Sequence, residues 1–323
     1  MGHKKCKNAS VLLIAFNRPD NAKAVLEQIR KAEPSKFYFA VDGPREDNLD
    51  DQNKCKECQS LLEMVDWECE INTLFRKENV GCGFGPSQAI SWAFETTDRL
   101  IVLEDDCLPS QSFFSYCEEL LDKYENDKRV GIISGLSIHS NSPFFGDKDY
   151  LFSRFSHTWG WATWRNRWAQ FDMYMKDFPA FSKDNILNSV FNNNKISEYF
   201  EKRFNRIYNS INDEVKHSWD SQWDYARIKN GFIDITPRIN LITNIGATDG
   251  THNSEGAEAS LLQSNDFNEA LKHPSFVVAN SQYDNYHFTH YVHPNALKQL
   301  YTVLKRKNGI RELIRLIEKK VWK

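Results

Sequence analysis

Through about the first 130 residues, apolar runs of strand length alternate at short intervals with stretches of helical periodicity, and this alternation limits the fold more than any other feature. Val11 to Phe16 is a continuous apolar run, and beyond Pro19 the residues Ala22, Val25, Leu26 and Ile29 recur at helical spacing. The pair of signals repeats. Strand Phe37 to Val41 precedes a helix near Cys55 to Val65, strand Ile71 to Phe75 precedes a helix from Pro86 to Phe94, and strand Leu100 to Leu103 follows. A helix from Ser110 to Tyr124 and strand Val130 to Ser134 complete the series. Strands separated by helices pair in parallel, so the pattern predicts a three-layer α/β fold, a Rossmann-like and mainly parallel sheet flanked by helices.

In such sheets ligands bind beyond the carboxyl ends of the strands. The polar residues expected there are Asn17 and Arg18, Asp42 and Gly43, Asn79 to Gly81, and the run Glu104-Asp105-Asp106. Three adjacent carboxylates repel one another, which a folded chain tolerates when a cation or hydrogen-bond donors offset the charge. Hard divalent cations bridge carboxylates to phosphates, so Asp106 and its neighbours are candidates for a Mn²⁺ or Mg²⁺ site. Arg18 can reach a diphosphate there or form a surface salt bridge. Asp42 reads either as a turn residue or as an acceptor for a nucleobase. The spacing Gly81, Gly83, Gly85 differs from the dinucleotide fingerprint and follows the third strand, so it reads as a loop of close backbone approach to a ligand.

After about residue 140 the alternation stops and tryptophans gather at Trp159, Trp161, Trp164, Trp168, Trp219 and Trp223. Aromatic faces suit sugar rings, although most tryptophans fill cores. The expected organisation is a catalytic domain over 1–256, with a donor half to about 140 and an acceptor half beyond, then a helical extension over 257–323.

Charge and cysteine usage narrow the function classes. From Leu297 to Lys323 nine basic residues stand against Glu312 and Glu318, so the rest of a chain of net charge −3 is markedly acidic, which argues against nucleic acid as a partner. The tail's apolar residues fall near helical spacing, and such a segment can lie on an anionic membrane or pack on the domain. No apolar run is long enough to span a membrane or to serve as a secretory signal, so a cytoplasmic location is expected, at most at the inner face of the plasma membrane. Seven scattered cysteines read as free thiols, and Cys55-x-x-Cys58 lacks the second pair of a zinc ribbon.

Taken in order, Ile-Ala-Phe-Asn-Arg-Pro at Ile14 to Pro19, Val41-Asp42-Gly43, Asn79-Val80-Gly81 and Val102-Leu103-Glu104-Asp105-Asp106-Cys107 resemble GT-A glycosyltransferases. With Gly160-Trp161, Trp219-Asp220-x-x-Trp223 and the segment from Gly246 to His252, the chain is most similar to glycosyltransferase family 13, the N-acetylglucosaminyltransferase I group, over about residues 10 to 255. The resemblance implies a nucleotide-sugar donor, UDP-linked, and inversion at the transferred carbon. It implies that Arg18 binds the diphosphate, Asp42 the uracil, Glu104 the donor sugar, Asp105 the ribose and Asp106 the metal. Gly81 and Trp161 would also border the donor, and a loop carrying Thr251 and His252 would fold over it. Asp220 matches the general base, with Asp224 as the alternative. Eukaryotic members carry a membrane anchor, whereas this chain looks like a bacterial relative building surface polysaccharide on a glycan or lipid-linked glycan acceptor.

Three other classes compete. A carbohydrate-binding protein on the same fold would show no donor turnover. A sugar nucleotidyltransferase needs a Gly-rich basic loop after the first strand, and Asn17-Arg18-Pro19-Asp20 is not one. A metal-dependent phosphohydrolase would need His and Asp clusters beside the acidic run.

Overall fold

The computed structural model describes residues 9–210, 218–246 and 261–293. Six parallel strands carry the fold: β1 (Ser10–Ala15), β2 (Lys36–Val41), β3 (Glu70–Phe75), β4 (Arg99–Glu104), β6 (Val130–Ser134) and β9 (Ile233–Pro237). With β7 (Tyr150–Ser153) and β8 (Trp161–Trp164), both antiparallel to their neighbours, they form an eight-stranded sheet in the order β3-β2-β1-β4-β8-β6-β9-β7. The expected α/β class is the observed one. A separate two-stranded ribbon joins β5 (Cys107–Pro109) to β10 (Ile242–Asn244).

Successive side chains of a strand point to opposite faces, and both faces of this sheet are buried. Val11, Leu13 and Ala15 of β1 pack with Ala22, Val25, Leu26 and Ile29 of α1 (Pro19–Ala32) and with Phe113, Cys117 and Leu121 of α4 (Gln111–Lys123). Leu12 and Ile14 join Ala89, Ile90 and Ala93 of α3 (Gly81–Ala93), Trp219, and Trp223 and Ala226 of α9 (Asp220–Lys229) on the other face. Each such buried aliphatic side chain contributes about 1.5–3 kcal/mol over its exposed state. Local signals set the helix ends. Pro19 opens α1 with Asp20 in its first turn and Arg30 and Lys31 in its last, and the chain leaves at Glu33 in the left-handed region.

Two helices start earlier than the periodicity suggests. α2 (Leu49–Ser60) begins six residues before Cys55 because the Asn48 side chain accepts the Asp51 N–H at 3.0 Å. α3 begins at Gly81, five residues before Pro86. Gly81 therefore opens a helix, a correction to the loop expected there, and its φ of +83° explains why glycine occupies the position.

The acceptor half adds short helices α5 (Arg165–Trp168), α6 (Phe178–Lys183) and α7 (Ile186–Phe191), then the 17-residue α8 (Asn194–Ser210). The first compact unit runs to Ala279, beyond the boundary expected at 256. Residues 262–279 are irregular where a helical extension was expected, because side-chain and ring contacts hold them to the domain. The Ser112 N–H donates to Asp266 at 2.7 Å, Phe267 stacks on Tyr116, and the Tyr150 hydroxyl meets His273 Nδ1 at 2.8 Å. The second unit begins at Asn280, which caps α10 (Ser281–His287). Thr251, His252 and the basic segment 297–323 lie outside the described residues. Among the described residues no helix is long and apolar enough to cross a membrane.

Candidate active site

The order of the strands locates the site. The chain moves outward from β1 to β2 and β3, then returns to β4 on the other side of β1, so the loops leaving β1 and β4 lie side by side at the carboxyl ends, bordering the crevice where sheets of this kind bind ligands. Both loops deliver charge. Arg18 Nη1 lies 3.3 Å from Asp105 Oδ1 and 3.3 Å from Asp106 Oδ2, across 87 and 88 residues of sequence. The Phe16 N–H donates to the other oxygen of Asp105 at 3.3 Å. Arg18 and Asp106 keep about a quarter of their side-chain surface exposed, whereas Asp105 is nearly buried.

The acids here exceed the cations. Burial, joined by the charges of Asp106, Asp105 and Asp220, pushes the Glu104 carboxyl up to about 8, with Arg18 opposing. Burial and Asp106 push Asp105 up to about 7, again against Arg18 and the Phe16 N–H. The charge of Asp220, the candidate base, is among those that act on Glu104. Asp106 also faces the β5–β10 ribbon, where Ile245 N–H donates to its carbonyl at 2.8 Å. A Cβ on Gly246 would fall 2.7 Å from Asp106 Oδ2, so only glycine lets that backbone lie against the carboxylate.

Among the described residues no group of three or more His, Cys, Asp or Glu side chains is arranged to enclose a metal ion. The donor set still fits a hard divalent cation. Asp106 presents a partly exposed carboxylate beside Glu104 and Asp105, whose pKa values are raised by burial and by neighbouring carboxylates. A cation here would draw one ligand from Asp106 and the rest from water or a ligand's oxygens.

Asp42 and Gly81 meet one strand further out. Asp42 accepts from the Gly43 N–H at 3.0 Å, from Asn79 Nδ2 at 3.0 Å and from the Val80 N–H at 3.2 Å, with Arg76 Nε 3.8 Å away. Burial raises its pKa, and these N–H groups act in the opposite direction. Its carboxylate is therefore largely occupied by protein donors and joins the loop after β2 to the start of α3. Of the two readings of Asp42, the geometry favours the turn.

Asp220 is the first residue of α9 and Asp224 lies one turn on. Asp224 is saturated, its Oδ1 accepting from Arg227 at 2.7 Å and from Ser156 at 3.4 Å, and its Oδ2 lying 3.3 Å from Arg203. Asp220 Oδ2 lies 3.5 Å from Arg203, and its Oδ1 is buried without a hydrogen-bond partner. The unpartnered Oδ1 distinguishes Asp220 from its neighbour. Trp219 and Trp223 do share a face and pack against Trp161 and Trp168, with Trp219 stacked on Trp161 and the other pairs tilted or edge-on. Trp161 is wholly buried in that stack, so the expected donor contact is corrected to a supporting role behind the site.

Three groups escaped the sequence reading. Buried Asp51 accepts from Asn17 at 2.6 Å and from Arg45 Nη2 at 2.9 Å, fixing the loop that carries Arg18, and the Arg45 bonds hold it down at about 2. The capping spacing Asn48-x-x-Asp51 was a usable signal for its place on a helix, although not for its partners. Arg203 lies in a helix of mixed charge with nothing to mark it. Burial pushes His157 down to about 4, with Asp224 opposing and His139, Arg227 and Arg203 reinforcing.

No family model and no curated protein matches the chain. Among solved structures, TarS 1-349 of S. aureus is similar over 49% of this chain and 47% of its own, at 10% identity and a TM-score of 0.32. A UDP-glucose pyrophosphorylase complexed with UDP-glucose is similar over 45% of this chain and 62% of its own, at 13% identity and a TM-score of 0.26. The chain spans about half of the first and three-fifths of the second. At that distance neither likeness adds to what the sheet order establishes.

Proposed function

We propose that this chain is a glycosyltransferase of GT-A type that moves a sugar from a UDP-sugar, with inversion and with help from Mn²⁺ or Mg²⁺. The observation that carries the reading is Arg18 placed between Asp105 and Asp106 at the carboxyl ends of β1 and β4. The narrower likeness to family 13 supplies the choice of UDP and of inversion.

In this reading Arg18 binds the diphosphate, and the crevice between the loops of β1 and β4 orients it. Asp106 would hold the cation, which when bound neutralises charge on the departing diphosphate. Glu104, next to the cation-holding Asp106, hydrogen-bonds a donor-sugar hydroxyl, and Asp105 keeps Arg18 and the ribose in register. The acceptor hydroxyl oxygen forms a bond to the anomeric carbon as the bond from that carbon to the diphosphate breaks. The bonding pair leaves with the diphosphate oxygen, and the hydroxyl proton goes to Asp220. The products are an inverted glycoside, UDP and protonated Asp220, which returns its proton to water. A glycan or lipid-linked glycan is the acceptor class, in a bacterial surface polysaccharide, with the enzyme cytoplasmic or at the inner membrane face.

A thermal-shift panel of nucleotide sugars with and without Mn²⁺ tests the reading. The true donor stabilises the protein by RT ln(1 + [L]/Kd), about 2.7 kcal/mol at a hundredfold excess over Kd. UDP release in the presence of acceptor extracts supports transfer. Release of pyrophosphate would identify a nucleotidyltransferase, and binding without turnover would identify a carbohydrate-binding protein.

A further inference from the structure

The cation on α8 that separates Asp220 from Asp224 has a geometry more specific than a surface salt bridge. Arg203 Nη2 lies 3.5 Å from Asp220 Oδ2 and 3.3 Å from Asp224 Oδ2, and Nε and Nη2 donate to Ser221 Oγ at 3.3 and 3.0 Å. A guanidinium is a rigid planar fork, so contacts to three residues of one helical turn fix its plane against the start of α9. Asp224 is further pinned by Arg227, a fully buried residue that also pairs with Asp234. Asp220 has no second cation among the described residues.

We propose that Arg203 is a positioning residue for the reaction, holding Asp220 and Asp224 by one oxygen each so that only Asp220 keeps an oxygen for the acceptor's proton. This rests on the reading of Asp220 as the base. The shared cation has a chemical use. When Asp220 takes the proton and becomes neutral, Arg203 still faces the charge of Asp224, so a largely buried guanidinium is paired in both states. Asp224 therefore acts as the permanent counter-ion and Asp220 as the titrating one.

The charges facing Asp220 among the described residues are Arg203 from α8, Asp224 on its own helix and Glu104 from the end of β4. Arg227 and His157 lie beyond Asp224. Removing Arg203 leaves Asp220 facing only acids among the described residues and is expected to make it more basic. Neutralising Asp224 leaves the guanidinium wholly to Asp220 and makes it less basic. A helix-stabilising salt bridge predicts no such opposed pair of shifts in a base that controls turnover.

The test titrates the ¹³C carboxyl resonance of Asp220, assigned by its loss in Asp220→Asn, in the full-length protein without added metal or donor. The midpoint is expected to rise by about one pH unit in Arg203→Gln, to stay near wild type in Arg203→Lys, and to fall in Asp224→Asn. The acid limb of UDP release, measured with whichever UDP-sugar gives the largest thermal shift, should move in the same directions. Arg203→Lys, which keeps the charge and loses the fork, should lower kcat about tenfold with KM unchanged. Wild-type midpoints in both Arg203→Gln and Asp224→Asn overturn the inference. If Arg203→Gln does not fold, the Asp224→Asn midpoint decides alone. Wild-type turnover by Asp220→Asn would instead remove the base assignment, which the titration midpoints do not require.

Discussion

The crevice at the ends of β1 and β4 and the ion network of α8 and α9 both gather aspartates around arginines, but their charge balance differs. In the crevice Glu104, Asp105 and Asp106 face Arg18, and two of the acids are driven toward protonation. In the network Asp224 is met by Arg203, Arg227 and Ser156. A balanced, saturated cluster holds elements together, whereas an unbalanced one gains most from a cation or ligand that supplies the missing charge. Asp220 belongs to the second cluster by its 3.5 Å contact with Arg203, and its charge also acts on Glu104 in the first.

The most damaging way to break this contrast is Asp106→Asn. It should reduce turnover to background and abolish the Mn²⁺-dependent part of UDP affinity, while the thermal midpoint holds or rises because one repelling carboxylate is gone. Calorimetric UDP titrations with and without Mn²⁺ check it, and unchanged Mn²⁺ dependence would remove Asp106 as the ligand. Next in size is Asp220→Asn, expected to lower kcat by roughly 10²- to 10⁴-fold with UDP affinity and folding nearly unchanged. Loss of folding at normal kcat per folded molecule would assign Asp220 to the balanced cluster instead.

A smaller effect should appear in acid. His157 has its folded pKa held down at about 4, below the ordinary 6.5, so as pH falls below 6.5 the unfolded chain takes up a proton that the folded chain refuses. Stability is therefore lost progressively between about pH 6.5 and 4. His157→Gln should flatten that decline by up to about 3 kcal/mol, read from urea unfolding across the range. An identical slope would mean that His157 ionises freely in the native state. The smallest effect concerns the tryptophan stack behind both clusters. Trp161→Phe should lower stability by about 1 kcal/mol and leave UDP affinity intact, because the ring is buried away from solvent. A large loss of UDP affinity without loss of stability would restore Trp161 as a donor contact.

Much of the first half was legible because its signals are local. An apolar run, a proline at the start of a helix and apolar residues three and four apart record the strand and helix that each segment forms, and parallel pairing follows from their alternation. The polar residues at the carboxyl ends could be named for the same reason. Local pattern could not show that Gly81 opens a helix containing Pro86, since glycine and proline read as breakers until the backbone is seen.

Sequence alone thus determined the α/β class, the edge of the sheet where chemistry is possible, and the acidic run that stands there. Tertiary structure alone decided which charges meet. The insertion of β8 between β4 and β6, the contact of Arg18 with acids 87 and 88 residues away, and the choice between two aspartates on one helix depend on contacts between distant segments. A side chain's type limits the bonds it can form, but its partners are set by packing, and no periodicity along the chain records an arginine on α8 reaching the first turn of α9.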